Sequence, residues 1–293
     1  MRPRRRVPGA DAAVRRALAE DRAARDRTTR AILPGRVVVE ATVTAQGTGV
    51  LSGTEALRAA ARARSLEVAF AARDGTRVRR GTLVARLRGD ARAILAIERT
   101  VLNFLMHLSG VASATARAVE GTRGSRPRLE VWATRKTTPG LRDLEKAAVV
   151  HGGGHPHRRD LSDGVLIKNN HLALVPLAVA IRRARARTPS RLPVQVEVRT
   201  ARQALAAIRA GADSLLLDNT GPGPARAIVR ALEAANVRRG HWVELSGGIT
   251  PGTVRRYRAV GADAVSLGAL THSAPALPFH LTVRPGRLRR LVD

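Results

Sequence analysis

The sequence predicts an α/β fold: a parallel barrel of open or irregular form, preceded by a small α+β domain. Three observations carry this. From residue 129 onward short apolar strands alternate with helical stretches over about 150 residues, the pattern of parallel β with helices outside. A polar or charged residue, or a glycine pair, ends nearly every one of those strands, and α/β barrels gather their sites from such ends. No Gly-x-Gly-x-x-Gly or Walker-type loop occurs, which removes the usual nucleotide-binding doubly wound sheets.

In chain order, residues 11–22 read as a basic helix, followed by a strand-rich stretch at Val37–Val39 and Ala41–Thr44. The glycine-rich segment Gln46–Gly53 reads as a turn. A short helix at Thr54–Ala63 precedes strands at Leu66–Phe70 and Thr82–Leu87, with Asp74-Gly75 turning between them. A long helix covers Ala91–Val119, with Leu95, Leu102, Leu105 and Leu108 near helical spacing and Ser109-Gly110 as its weak point. The barrel strands are Leu129–Ala133, Gly164–Ile167, Val194–Val198, Ser214–Leu217, Trp242–Leu245 and Ala264–Leu267. Helices at Ala201–Ala210, Pro224–Ala235 and Thr253–Val260 lie between them. Domains are expected at 1–112 and 113–275, with a tail, 276–293, returning to the first.

Composition narrows the function. With 44% hydrophobic and 26% charged residues the chain is globular. No cysteine is present, which excludes disulfide scaffolds and thiolate metal sites and fits a reducing, cytoplasmic setting. The arginine-rich start, Met1–Arg6, has no apolar region after it, so a secretory signal is rejected. No stretch approaches a transmembrane span of about 18 or more apolar residues, so no membrane partner is expected. A formal net charge of +29 suggests nucleic acid. Yet aromatics are only 2% and the basic residues are spread along the whole chain, so a specific nucleic-acid partner is not expected.

Forty-nine arginines stand against three lysines, Lys136, Lys146 and Lys168. A compact ammonium is not interchangeable with a guanidinium, so a lysine kept in such a chain is informative. Lys136 and Lys168 fall at strand ends; Lys146, in the helical stretch after the first, is expected to tolerate arginine. Arg135, Lys136, Arg158 and Lys168 would place four cations at one barrel mouth, a density that calls for a substrate with several negative charges. Glu197 and Asp218 end consecutive strands, where they could hold a magnesium diphosphate or stabilise a ribosyl cation; salt bridges to the same cations are the bland alternative. Ser246-Gly247-Gly248 and Gly268-Ala269 close late loops, where backbone N–H groups bind phosphate. The stretch His151–His157 resembles a metal site at first sight, but Arg158-Arg159 would repel a cation, and a histidine donating to a carboxylate is the better reading.

Taken together, Glu98-Arg99-Thr100, Leu102-Asn103-Phe104, Leu108-Ser109-Gly110, Thr134-Arg135-Lys136-Thr137 and Pro139-Gly140 resemble the quinolinate phosphoribosyltransferase family. Gly152-Gly153-Gly154 with His157-Arg158, Leu166-Ile167-Lys168 with Asn170-His171, Leu217-Asp218-Asn219, Ser246-Gly247-Gly248 and Gly268–Ser273 continue the resemblance in order, from about residue 11 to 283. It implies an N-terminal α/β sandwich plus an incomplete α/β barrel, and a homodimer or multiple of dimers in which one first domain caps the partner's barrel. The activity implied converts quinolinate and phosphoribosyl pyrophosphate, with Mg2+, to nicotinate mononucleotide, carbon dioxide and pyrophosphate.

By the same resemblance Arg99 would reach the partner's site, while Thr134, Arg135, His157, Arg158 and Lys168 would hold quinolinate. Lys136, Glu197 and Asp218 would handle the phosphoribosyl pyrophosphate and its magnesium, and Ser246–Gly248 with Leu267, Gly268 and Ala269 would cradle the 5′-phosphate. Ala133, Asn169, Gln195, Thr220 and the arginines flanking Asp26 depart from the family pattern, which leaves open a paralogue acting on another aromatic acid. A basic nucleic-acid-binding protein on a barrel scaffold is the rival from a different class.

Overall fold

The computed structural model describes residues 7–33, 35–190 and 192–284. Met1–Arg6 and the end of the expected tail, 285–293, lie outside them.

Helix α1 (Ala10–Glu20) buries Ala10, Ala13, Val14 and Leu18 on one stripe. Helix α2 (Arg27–Ile32) is capped by Asp26, which accepts from the Thr29 N–H at 3.0 Å. There follow β1 (Val38–Ala45), β2 (Gly49–Val50), α3 (Thr54–Ala63), β3 (Glu67–Phe70), β4 (Arg77–Val78) and β5 (Leu83–Asp90). The long helix α4 spans Ala91–Thr122. After it come β6 (Glu130–Trp132), α5 (Arg142–His151), β7 (Val165–Ile167), α6 (Asn169–Leu172), α7 (Leu177–Arg187), β8 (Val194–Val198) and α8 (Ala201–Arg209). The series ends with β9 (Ser214–Asp218), α9 (Pro222–Ala234), β10 (Trp242–Ser246), β11 (Ala264–Ser266), α10 (Ala269–His272) and β12 (Phe279–Arg284).

The chain divides into two compact units. The first comprises the described residues up to 114, residues 138–153 and the described residues from 274 onward, so α5 and the described part of the tail cluster with the N-terminal segment. Its antiparallel sheet runs β12-β1-β5-β3, with β12 paired along β1 from Glu40↔Arg284 to Ala45↔Phe279. The second unit, residues 115–137 and 154–273, holds a six-stranded sheet in the order β6-β11-β10-β9-β8-β7, parallel at every junction. The edges β6 and β7 share no ladder, so the barrel is incomplete, as six visible strands suggested.

Several local expectations need correction. Ser109-Gly110 is no weak point: α4 runs through it without a break. Ser109 Oγ donates to Ser52 O at 3.0 Å and accepts the Ser52 N–H at 2.9 Å, and the Pro275 carbonyl lies where a Gly110 side chain would be. Small residues there permit close packing within the first unit. The helix expected at Thr253–Val260 is only a 3₁₀ turn, Val254–Tyr257. The turn at Gln46–Gly53 contains strand β2. Helix α4 is, by length and composition, long and apolar enough to cross a membrane, contrary to the sequence expectation. Its Ile94, Ile97, Leu105 and Leu108 are fully buried, as in the core helix of a globular fold. Lys146, expected to tolerate arginine, is buried.

Candidate active site

The parallel sheet creates the site through its register. Glu197, Leu216 and Glu244 stand opposite one another across β8, β9 and β10, and Asp218 pairs with Ser246 one inward position further along. On β8, Val194, Val196 and Val198 are buried while Gln195 and Glu197 alternate with them on the other face. Strands of a parallel sheet are usually apolar on both faces; here the inner face is polar because it lines a cavity.

That cavity, of about 310 Å³, is lined by Thr134, Arg135, Lys136, His157, Arg158, Lys168, Glu197, Asp218, Ser246, Gly247 and Gly248. Residues scattered over more than a hundred positions thus meet where the strands end. Leu267, Gly268 and Ala269 do not line it but follow Ser266, which does. Gly268 abuts Lys136, and Thr271 Oγ1 donates to the Lys136 carbonyl at 2.7 Å, pinning that loop. Arg99 belongs to the first unit, where it lines a different hollow with Glu20, Asp21, Asn103 and His107.

The four cations meet the two carboxylates expected at the same mouth and a third, Glu244, that the strand-end pattern did not mark. Three carboxylates, Glu197, Asp218 and Glu244, line the same cavity as Arg135, Lys136, Arg158 and Lys168. Lys168 Nζ lies 3.7 Å from Glu197 Oε1, and Arg199 Nη2 donates to Asp218 Oδ2 at 2.7 Å. Burial lowers the Arg158 pKa, the Arg135 charge adds to that, and Glu244 and Glu197 oppose it. The bland alternative, salt bridges to the same cations, describes part of what Glu197 does, whereas Asp218 pairs with Arg199 instead.

Asn169 ties the two carboxylates together: its backbone N–H donates to Glu197 Oε2 at 3.0 Å and its side-chain amide to Asp218 Oδ2 at 3.4 Å. Asn219 donates to Asp218 Oδ1 at 3.1 Å. An aspartate at 169 could not donate from its side chain, so this departure supplies a donor where a third carboxylate would repel. Gln195 likewise donates to Glu244 Oε2, at 2.9 Å. Thr220 turns its hydroxyl back to the Asp218 carbonyl at 3.1 Å.

Gly247 and Gly248 have φ of 91° and 64°, values that favour glycine. A side chain on Gly247 would also come within 2.6 Å of the Asn219 backbone nitrogen. Successive N–H groups in such a turn form an anion-binding concavity.

Sequence reasoning overlooked Glu244, which is 2% exposed. It lies inside β10 rather than at its end, and alternation back from Ser246 marks it as facing the cavity. Arg199, Leu166, Leu216 and Ser266 were also missed, the last three because an uncharged residue inside a strand carries no signal of its own. The histidines separate. His155 stacks on Trp132, with ring centroids 5.2 Å apart, while His157 Nε2 reaches Glu244 Oε2 at 3.3 Å. The expected donation from histidine to carboxylate is present, and the carboxylate is the protein's own.

A parallel barrel whose strand ends converge guanidinium and ammonium groups, paired carboxylates and a glycine cradle defines a transferase acting on phosphorylated, multiply anionic substrates. Residues 26–109 match the N-terminal domain model, and residues 111–282 the C-terminal domain model, of quinolinate phosphoribosyl transferase. A probable carboxylating nicotinate-nucleotide pyrophosphorylase of Archaeoglobus fulgidus is 41% identical, covering 84% of this chain and 94% of its own. The human carboxylating nicotinate-nucleotide pyrophosphorylase is 37% identical over 86% of this chain and 84% of its own. Among solved structures, NadC from Streptococcus pyogenes superposes with a TM-score of 0.84 at 38% identity, covering 94% of this chain and 96% of that one. The chain belongs to the quinolinate phosphoribosyl transferase family.

Proposed function

We propose that the chain transfers the ribosyl phosphate of phosphoribosyl pyrophosphate to the ring nitrogen of quinolinate, giving nicotinate mononucleotide, carbon dioxide and pyrophosphate. The observation that carries the reading is the convergence of Arg135, Lys136, Arg158 and Lys168 on one cavity that also presents Glu197 and Asp218. Guanidinium forks match carboxylates, and ammonium groups serve phosphate or developing charge. A second reading, a basic nucleic-acid-binding protein, gains nothing from a concave cavity lined by three carboxylates.

The chemistry proceeds by charge stabilisation. The nitrogen lone pair forms a bond to ribose C1 as the C1–oxygen bond breaks and its electron pair leaves with pyrophosphate. The pyridinium so formed accepts the pair released when the adjacent ring carbon loses carbon dioxide, and a proton then takes that carbon's vacant position. Arg135, Arg158 and Lys168 would orient the dicarboxylate, with Thr134 and His157 beside them. Lys136 would meet the pyrophosphate, while Glu197 and Asp218 face the positive charge that grows on the ribose. Ser246–Gly248 would hold the 5′-phosphate, with Leu267–Ala269 following the cavity-lining Ser266.

Magnesium fits the donor set. Glu197 and Asp218 offer hard oxygen atoms, and among the described residues no group of three or more His, Cys, Asp or Glu forms an all-protein cage. One or two carboxylates, with substrate phosphates and water, is the usual way that Mg2+ is bound. Once bound it would neutralise charge on the leaving pyrophosphate.

Arg99, remote in sequence from the barrel strands, supports a shared site in a homodimer or multiple of dimers, and the absence of cysteine fits a cytoplasmic setting. The deciding assay incubates purified protein with quinolinate, phosphoribosyl pyrophosphate and Mg2+ and measures nicotinate mononucleotide. Nicotinate, which leaves part of the cation cluster unpaired, should be a very poor substrate, and equal turnover of the two acids would overturn the reading. For the shared site, inactive Arg99→Ala and Lys136→Ala variants should regain activity after subunit exchange; verified mixed dimers with none would refute it.

A further inference from the structure

Glu244, to which the proposed reaction assigns no role, is 2% exposed in the middle of β10 and hydrogen-bonds to His157. Its Oε2 takes the His157 ring at 3.3 Å and the Gln195 amide at 2.9 Å, while Oε1, also buried, has no hydrogen-bond partner. The His157 ring has both nitrogens engaged. The Arg158 backbone N–H donates to His157 Nδ1 at 2.7 Å. Nδ1 is therefore the acceptor and the ring proton sits on Nε2, aimed at Glu244. The edge of Trp132 packs against the same ring, with centroids 5.5 Å apart.

His157 also has a φ of 55°, uncommon for a non-glycine residue. Such a conformation persists where its surroundings over-determine it, and here the anchored ring does so. The next residue is Arg158, whose Nη1 donates to the Gly164 carbonyl at 3.3 Å and which lines the cavity.

We propose that Glu244 is a positioning residue: by holding His157 in its Nε2–H tautomer it fixes the backbone turn at 157–158 and so aims Arg158 at a carboxylate of the substrate. This rests on the quinolinate reading of the site. The hydrogen bond, rather than the negative charge alone, does the positioning, so glutamine should serve where leucine cannot.

The test has two independent parts. In wild-type protein labelled with 15N at histidine, the His157 signal, assigned by its loss in His157→Ala, should show a protonated Nε2 and a bare Nδ1; a protonated Nδ1 would overturn the proposal whatever the activity. In kinetics, Glu244→Leu should raise the KM for quinolinate on the order of tenfold with the KM for phosphoribosyl pyrophosphate within about twofold, as expected for loss of ground-state binding to one substrate only. Glu244→Gln should restore most of that loss, and adding His157→Ala to Glu244→Leu should add little, since the two act as one unit. Equal rises in both KM values, failure of glutamine to rescue, or fully additive losses would each refute it. If wild-type protein does not turn over quinolinate, the functional reading fails while the tautomer still decides this inference.

Discussion

A β-carbon built on Gly268 would lie 2.8 Å from Cδ of Lys136 and 3.0 Å from Nε2 of His272. Gly268 has an ordinary φ of −65°, so glycine is needed there for space rather than for backbone conformation. Lys136 Cδ belongs to a flexible side chain that can swing aside, whereas a lysine displaced by about 1 Å can cost on the order of 100-fold in rate. Gly268→Ala is therefore expected to lose activity with little loss of stability. Steady-state kinetics beside a thermal melt checks this, and a variant with unchanged kcat/KM would show that Lys136 need not stay where Gly268 lets it lie.

The two cavity lysines should resist replacement by arginine. Lys168→Arg keeps the charge but puts a broad planar fork 3.7 Å from Glu197, where a compact ammonium now sits. Lys136→Arg should be similarly damaging to kcat/KM.

Lys146, expected to tolerate arginine, is buried in the structure. At 5% exposure on α5 it lies beside the fully buried Glu145, and enlarging a buried side chain typically costs about 1–3 kcal/mol. Lys146→Arg should lower Tm by several degrees while kcat/KM per folded molecule holds. A Tm equal to wild type would place the Lys146 ammonium near solvent instead.

Sequence legibility followed the strength of periodic and terminal signals. The six barrel strands were readable because each is a short apolar run with a polar or glycine terminus, as at Val194–Val198 before Arg199 and Trp242–Ser246 before Gly247-Gly248. The cations and glycines of the cavity were readable for the same reason. Glu244 was hidden because it lies mid-strand between Val243 and Leu245, where apolar residues are expected. The burial of Lys146 and the clustering of 138–153 with the first unit depend on tertiary packing that no local pattern records. The 3₁₀ turn at Val254–Tyr257 fell short of a helix within a segment dense in arginine and bounded by Pro251-Gly252 and Gly261.

Gln195→Glu tests the interior balance. It would bring a second carboxylate to within about 3 Å of Glu244, and two such groups cannot both ionise cheaply in a buried site, so one pKa rises. A carboxyl with a folded pKa above its unfolded value contributes stability that is present at low pH and lost as pH climbs through the folded value. The variant should thus melt close to wild type near pH 5 and fall progressively behind toward pH 8. A Tm deficit that does not change with pH would mean that the new carboxylate finds another donor or reaches solvent.

His151 gives the fold a second, distinct pH response. Its Nδ1 lies 2.9 Å from Ser52 Oγ in the first unit, and burial pushes its pKa below the ordinary 6.5, with Asp74 opposing only in part. Below 6.5 the unfolded chain takes up a proton that the folded chain declines, so stability is lost as pH falls from 6.5 toward the depressed folded value, at up to about 1.4 kcal/mol per pH unit. Glu244 acts in a lower window. Burial raises its pKa, but donation from His157 and Gln195 brings it net below the ordinary 4.5, so its contribution is lost only as pH falls further below that value. His151→Asn can keep a hydrogen bond to Ser52 without titrating. Urea unfolding at a series of pH values from 7.5 downward should give a flatter stability profile for the variant as pH falls below 6.5. Parallel profiles over the whole range would show that His151 gains its proton in the folded protein as readily as in the unfolded chain.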